Sequence, residues 1–263
     1  MTFANINGAV VHFRDEGSRN GQPLVFINSL GTDFRIWDEL VPDFVTQSRV
    51  VRYDKRGHGL SGLPSNAASL EDFASDLAGL LEFLGLSQAA IVGLSIGGLI
   101  AQELYRRRPD LVRALILCDT AAKIGSEDMW TIRMTAIEAG GVASVAEGAL
   151  ERWFSAGYRT SRQQDFAGWR LMLARTDKAG YLAACGALRA ADLRPFCREI
   201  RVPTLCVVGE EDSSTPVALV RELAESITHA RFEIVANAGH LPNLEQPRTI
   251  SSLIGTFLQS LPQ

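Results

Sequence analysis

The chain has 263 residues, 46% of them apolar and 21% charged, with a formal net charge of −4; this suits one large globular domain or two modest ones. An acidic balance without a basic face argues against a nucleic-acid partner, and no apolar run is long enough for a membrane span. The N-terminal MTFANINGAVVHF lacks the basic and apolar regions of an export signal, so the expected compartment is the cytoplasm.

In chain order, Val10–Asp15, Leu24–Ile27 and Arg49–Tyr53 read as strands. Leu70–Leu84 carries apolar residues at helical spacing, with Ser69 as N-cap and Gly85 just past the end. A short apolar strand, Ala89–Val92, precedes a helix over Ile96–Arg107 that stops before Pro109. Val112–Leu117 is a strand, as are Thr204–Val208 and Phe232–Val235, and a helix from about Arg248 to Leu261 closes the pattern. Near-continuously apolar strands alternating with helices predict an α/β fold, a mostly parallel sheet covered by helices on both faces. The alternation breaks over residues 121–189, where only helical patterns occur (MWTIRMTAIEAG, VASVAEGALERWF, FAGWRLMLARTD, YLAACGALRAA). This stretch is read as a helical cap inserted into a core made of residues 1–120 and 190–263. The four cysteines form no CxxC pair and have no zinc-ligand spacing, so they are expected to be reduced and structural.

Gly93-Leu94-Ser95-Ile96-Gly97 fits G-x-S-x-G between a strand and a helix. That context is a nucleophile elbow, whose tight turn needs small neighbours and projects the serine at a helix N-terminus. A serine nucleophile needs a base, and there are four histidines. His12 lies early in the chain, His58 in a Gly-rich loop and His229 in a polar segment before a strand. His240, in VANAGHLPNLEQP after the last strand, emerges at the same end of the sheet as Ser95 and is the expected base. The orienting acid is expected at Asp212 in VGEEDSSTP, with Asp119, directly after an apolar strand, as the competitor and Glu210 and Glu211 as solvated charges. Acyl transfer also needs two oxyanion donors. The N–H of Ile96, next to the nucleophile, is one; the loop Asn28–Gly31 after an early strand supplies the other, assigned to the Leu30 N–H.

With YDKRGHGLSG, VGLSIGG, VGEEDSSTP and AGHLPNLEQP in this order, the chain resembles the α/β-hydrolases along essentially its whole length. The common His-Gly start of the oxyanion loop is replaced by Asn28-Ser29. NSLGTDFRIWD, YDKRGHGLS, CDTAAKIGSEDMWTIRM and CGALRAADLR are similar to the 3-oxoadipate enol-lactonases of the β-ketoadipate route of aromatic degradation. The resemblance implies a small-molecule enol-lactone substrate bearing a carboxylate, no metal and no organic cofactor. It leaves self-association open. A cation should then face the pocket: Trp130 and Arg133, three apart on a helix, are the candidates, with Trp153 and Trp169 as further lining. A cofactor-free esterase or perhydrolase and a ligand receptor of the same fold are the competing expectations; a haloalkane dehalogenase would need an aspartate at Ser95.

Overall fold

The computed structural model describes residues 2–65 and 67–262. Eight strands form one sheet: β1 (Thr2–Ile6), β2 (Ala9–Gly17), β3 (Gln22–Ile27), β4 (Ser48–Tyr53), β5 (Ala89–Leu94), β6 (Val112–Cys118), β7 (Thr204–Gly209) and β8 (Arg231–Val235). Their spatial order is β1-β2-β4-β3-β5-β6-β7-β8. Pairings β1–β2 and β2–β4 are antiparallel and all others parallel. The central strands β5 and β7 are buried along their whole length, as a sheet covered on both faces requires. The two edge strands are not: β1 alternates and β8 is largely exposed.

Each predicted strand is present, extended by one or two residues at one end or both. The structure adds β1, joined to β2 through Asn7 and Gly8, both at positive φ, as a two-residue hairpin turn needs. Helix α1 (Leu70–Phe83) begins with a capping box: Asp72 N–H donates to Ser69 Oγ at 3.2 Å, and Ser69 N–H to Asp72 Oδ2 at 2.8 Å. Helix α2 (Ile96–Arg107) follows β5.

Between β6 and β7 stand α3 (Glu127–Gly140), α4 (Ala143–Trp153), α5 (Ala156–Ser161), α6 (Gln163–Ala174) and α7 (Lys178–Ala190), with no strand among them. They pack on one another, α3 against α7 and α4, and α4 against α6. Three further helices, α8 (Val217–Ser226), α9 (Pro242–Glu245) and α10 (Pro247–Gln259), complete the chain. Among the described residues, no helix is long and apolar enough to cross a membrane. The four cysteines are buried and unpaired.

Candidate active site

Asn28–Gly31, Ser95, Asp119, Asp212 and His240 follow the carboxyl ends of β3, β5, β6, β7 and β8 respectively. That is where open α/β sheets gather their ligands. Ser95 stands at φ 58°, ψ −119°, a conformation that is strained for a residue with a side chain. The strain is held from three sides. Ser95 N–H donates to the Cys118 carbonyl at 2.9 Å, and Thr120 Oγ1 donates to the Ser95 carbonyl at 2.6 Å. A Cβ on Gly93 would sit 2.3 Å from the Gly97 carbonyl oxygen, and one on Gly97 would sit 2.4 Å from that of Ile27, so the elbow closes only with glycine. The Ile27–Gly93 pairing places the loop after β3 beside the elbow after β5. Neither the Leu30 nor the Ile96 N–H is hydrogen-bonded among the described residues.

The structure brings His240 and Asp212 together: His240 Nδ1 lies 2.8 Å from Asp212 Oδ2. The carboxylate as acceptor fixes the proton on Nδ1 and leaves Nε2 basic. Asp212 also accepts from Thr215 Oγ1 at 2.6 Å and, through Oδ1, from the Ser214 and Thr215 N–H groups at 2.7 and 3.1 Å. Burial raises this carboxyl, but the imidazole and Thr215 outweigh it and hold it below the ordinary carboxylate value. Asp119, the competitor, makes no bond to the imidazole. Its Oδ1 accepts from the Gly209 N–H at 2.9 Å and its Oδ2 has no partner. Burial, then the neighbouring Asp212 charge, pushes its carboxyl well above the usual carboxylate range. Donor atoms of Asp119, Asp212 and His240 lie within 4.8 Å of one another. Hydrogen bonds within the protein account for both Asp212 oxygens and for His240 Nδ1. Ser95 Oγ makes no hydrogen bond to His240, a separation common before substrate binds.

The other histidines are placed elsewhere. His12 lies within β2 and bonds Asp54 Oδ2 at 2.7 Å, while His229 is in an exposed turn. His58 is buried, its Nδ1 at 3.2 Å from the Arg56 carbonyl, and burial followed by the Lys55 charge keeps it neutral.

The helices over the sheet meet the site at two seams. A Cβ on Gly31 would strike Leu173 at 2.4 Å and Tyr181 at 2.9 Å, with Trp153 at 3.4 Å, so α4, α6 and α7 lie directly on the Leu30–Gly31 turn. Near His240, the Gly239 N–H donates to Glu245 Oε1 at 2.7 Å, Glu245 also takes the Ser155 N–H, and the Leu241 N–H donates to the Trp153 carbonyl at 3.2 Å. Trp130 is buried, donating its indole N–H to the Ile124 carbonyl at 2.7 Å, and Arg133 stacks over its ring at 5.5 Å. Trp169 is tied to the Tyr158 hydroxyl at 3.1 Å. Neither Arg133 nor Arg152 has a carboxylate partner among the described residues. Both of their charges act on the Tyr181 hydroxyl, which is fully buried and unpartnered.

Residues 22–247 match the alpha/beta hydrolase fold family. The chain belongs to that family. It is 33% identical over 243 residues to 3-oxoadipate enol-lactonase 2 of Acinetobacter baylyi, covering 92% of this chain and 91% of that one. It is 34% identical over 261 residues to 3-oxoadipate enol-lactonase 1 of the same organism, covering 99% and 97%. The crystal structure of the enol-lactonase from Burkholderia xenovorans superposes with a TM-score of 0.96 at 37% identity, covering 98% of this chain and 100% of that one. Four residues of this α/β-hydrolase escape the sequence reading: Thr215, Glu245, Tyr181 and Lys55. Thr215 has a local signal, lying three positions after Asp212 where a side chain can close a turn on it. Tyr181 has none, because its partner loop is 150 positions away in the chain.

Proposed function

We propose that this α/β-hydrolase opens a carboxylated enol-lactone, converting 3-oxoadipate enol-lactone and water to 3-oxoadipate. Ser95, Asp212 and His240 act as nucleophile, orienting acid and base, and the N–H groups of Leu30 and Ile96 as the oxyanion hole. The observation that carries the chemistry is a serine held at positive φ, together with Leu30 and Ile96 N–H groups that have no hydrogen-bond partner among the described residues. The substrate assignment rests on the likeness to the enol-lactonases and on Arg133 and Arg152, which have no carboxylate partner among the described residues and whose charges act on Tyr181.

In this reading His240 Nε2 takes the Ser95 proton as Oγ attacks the lactone carbonyl, and Asp212 stabilises the imidazolium. The oxyanion is held by the two N–H groups. On collapse the ring C–O bond breaks, the imidazolium protonates the leaving enol oxygen, and the enol becomes a ketone. That tautomerisation makes re-closure unfavourable. Water, deprotonated by His240, then attacks the acyl-serine and releases the second carboxylate. The place in metabolism is aromatic catabolism.

The test is a spectrophotometric comparison of 3-oxoadipate enol-lactone with neutral lactones and phenyl esters. The carboxylated lactone is expected to have the highest kcat/KM, and Ser95→Ala to remove the activity by about 10^5-fold or more with the melting temperature retained. Equal kcat/KM for neutral esters would return the chain to the general carboxylesterases, and an active Ser95→Ala would remove the nucleophile assignment.

A further inference from the structure

Lys55 is 1% exposed, and a lysine so deeply buried almost always faces a carboxylate. This one forms no ion pair among the described residues. Its ammonium points at the oxyanion loop, with Nζ 2.5 Å from the Ser29 carbonyl oxygen and 3.5 Å from that of Thr32. The Ser29 carbonyl also accepts from Thr32 Oγ1 at 2.9 Å and from the Thr32 N–H at 3.3 Å. The Asn28 amide closes the same turn by donating to the Thr32 carbonyl. The Ser29 carbonyl and the Leu30 N–H belong to one peptide group, whose C–N conjugation links the two ends. A cation on the oxygen withdraws density from the nitrogen and makes its N–H a stronger donor.

We propose that Lys55 is a positioning residue for acyl transfer, charging the Ser29–Leu30 peptide through the Ser29 carbonyl so that the Leu30 N–H binds the oxyanion more tightly than an ordinary amide. This rests on the reading of Leu30 as an oxyanion donor. The charge is conditional. Burial drives the ammonium towards neutrality, Asp54 and Asp33 pull the other way, and the balance lies at about 7. The other titratable groups around it are His58, held neutral, and His12, bonded to Asp54. The charged form is therefore present below about 7 and is lost as the pH rises through it.

The experiment compares Lys55→Met and Lys55→Gln with the wild-type chain from pH 6 to 9 on a neutral chromogenic ester, which removes any role for the carboxylate. kcat is normalised to active sites counted by the acyl-enzyme burst. Ser95→Ala run alongside shows whether the burst belongs to Ser95, so failure of the nucleophile reading is seen separately. At pH 6 both variants are expected to lose about tenfold or more in kcat with KM within about threefold, and the gap should close towards pH 9 as the wild type loses its own charge. Should Lys55→Met not fold, Lys55→Gln, which keeps a donor and drops only the charge, decides alone. A kcat within twofold of wild type, or a loss of equal size at every pH, overturns the proposal, since a clip that only holds the loop is indifferent to the ammonium's charge.

Discussion

Two buried carboxyls, Asp212 and Asp119, lie close to His240, and their surroundings shift them in opposite directions. Asp212 accepts four hydrogen bonds, one from the imidazole. Asp119 accepts one, and burial and the Asp212 charge push its carboxyl well above the usual range. Asparagine mimics a protonated aspartate but not an ionised one. Asp119→Asn should therefore leave kcat within about fivefold of wild type, while Asp212→Asn should lower it by about 10^3-fold or more by misorienting His240. The reverse order in steady-state assays would move the acid to Asp119. The sign of the stability effect follows from the raised carboxyl. Unfolded, Asp119 ionises near 3.8; folded, it keeps its proton well above that. Its contribution is thus fully present below 3.8 and is lost as the pH rises towards the folded value. Asp119→Asn removes that loss, so calorimetry should find the variant more stable than wild type at pH 7 to 8, the advantage shrinking as the pH falls towards 5. A constant difference across this range would mean that Asp119 is ionised in the folded protein.

Helix α7 meets the loop after β4 backbone to backbone, in addition to the Tyr181 side chain resting on Gly31. A Cβ on Gly180 would lie 2.1 Å from the Gly57 carbonyl oxygen and 2.6 Å from Gly57 Cα. Helix propensity favours Ala over Gly by about 0.5–1 kcal/mol, whereas forcing two backbones apart costs about 1–3 kcal/mol. Gly180→Ala is accordingly expected to lower the melting temperature by several degrees, at about 2–4 °C per kcal/mol for a chain of this size, and to lower activity, because α7 also rests on Gly31. A higher melting temperature would show that propensity wins and that α7 is seated by other contacts. This seam marks the limit of what the sequence discloses. The strands of the core are legible because β5, β6 and β7 are largely apolar runs, broken in β6 only by Arg113. Ser95 and Asp212 are legible because each follows an apolar strand with a turn signal, His240 because the Gly-containing turn AGHLP follows the last strand, and β1 is missed because its alternation is short and half exposed. The Gly57–Gly180 approach, the Tyr181–Gly31 contact and the bond from Lys55 to Ser29 are set by tertiary packing between distant segments, for which one sequence has no period to read.

Across the whole molecule, the proposed reaction divides between two layers: the loops at the carboxyl ends of the strands hold the proposed nucleophile, relay and oxyanion donors, and helices α3 and α4 hold Arg133 and Arg152. Arg133 is half-buried on α3 and Arg152 exposed on α4, so carboxylate recognition would depend on the cap being seated rather than on either helix alone. A charge-assisted hydrogen bond to a carboxylate contributes about 1.5–3 kcal/mol, or roughly tenfold to a hundredfold in binding. Arg133→Ala and Arg152→Ala should each raise KM for the carboxylated lactone by about tenfold and leave KM for a neutral phenyl ester unchanged. The two effects should fall short of additive, because neighbouring guanidiniums would share one carboxylate. Added salt should raise KM for the anionic substrate alone, as screening weakens the attraction. If both variants change the two substrates alike, the arginines serve the cap's packing, and the preference for a carboxylated lactone must arise elsewhere in the pocket.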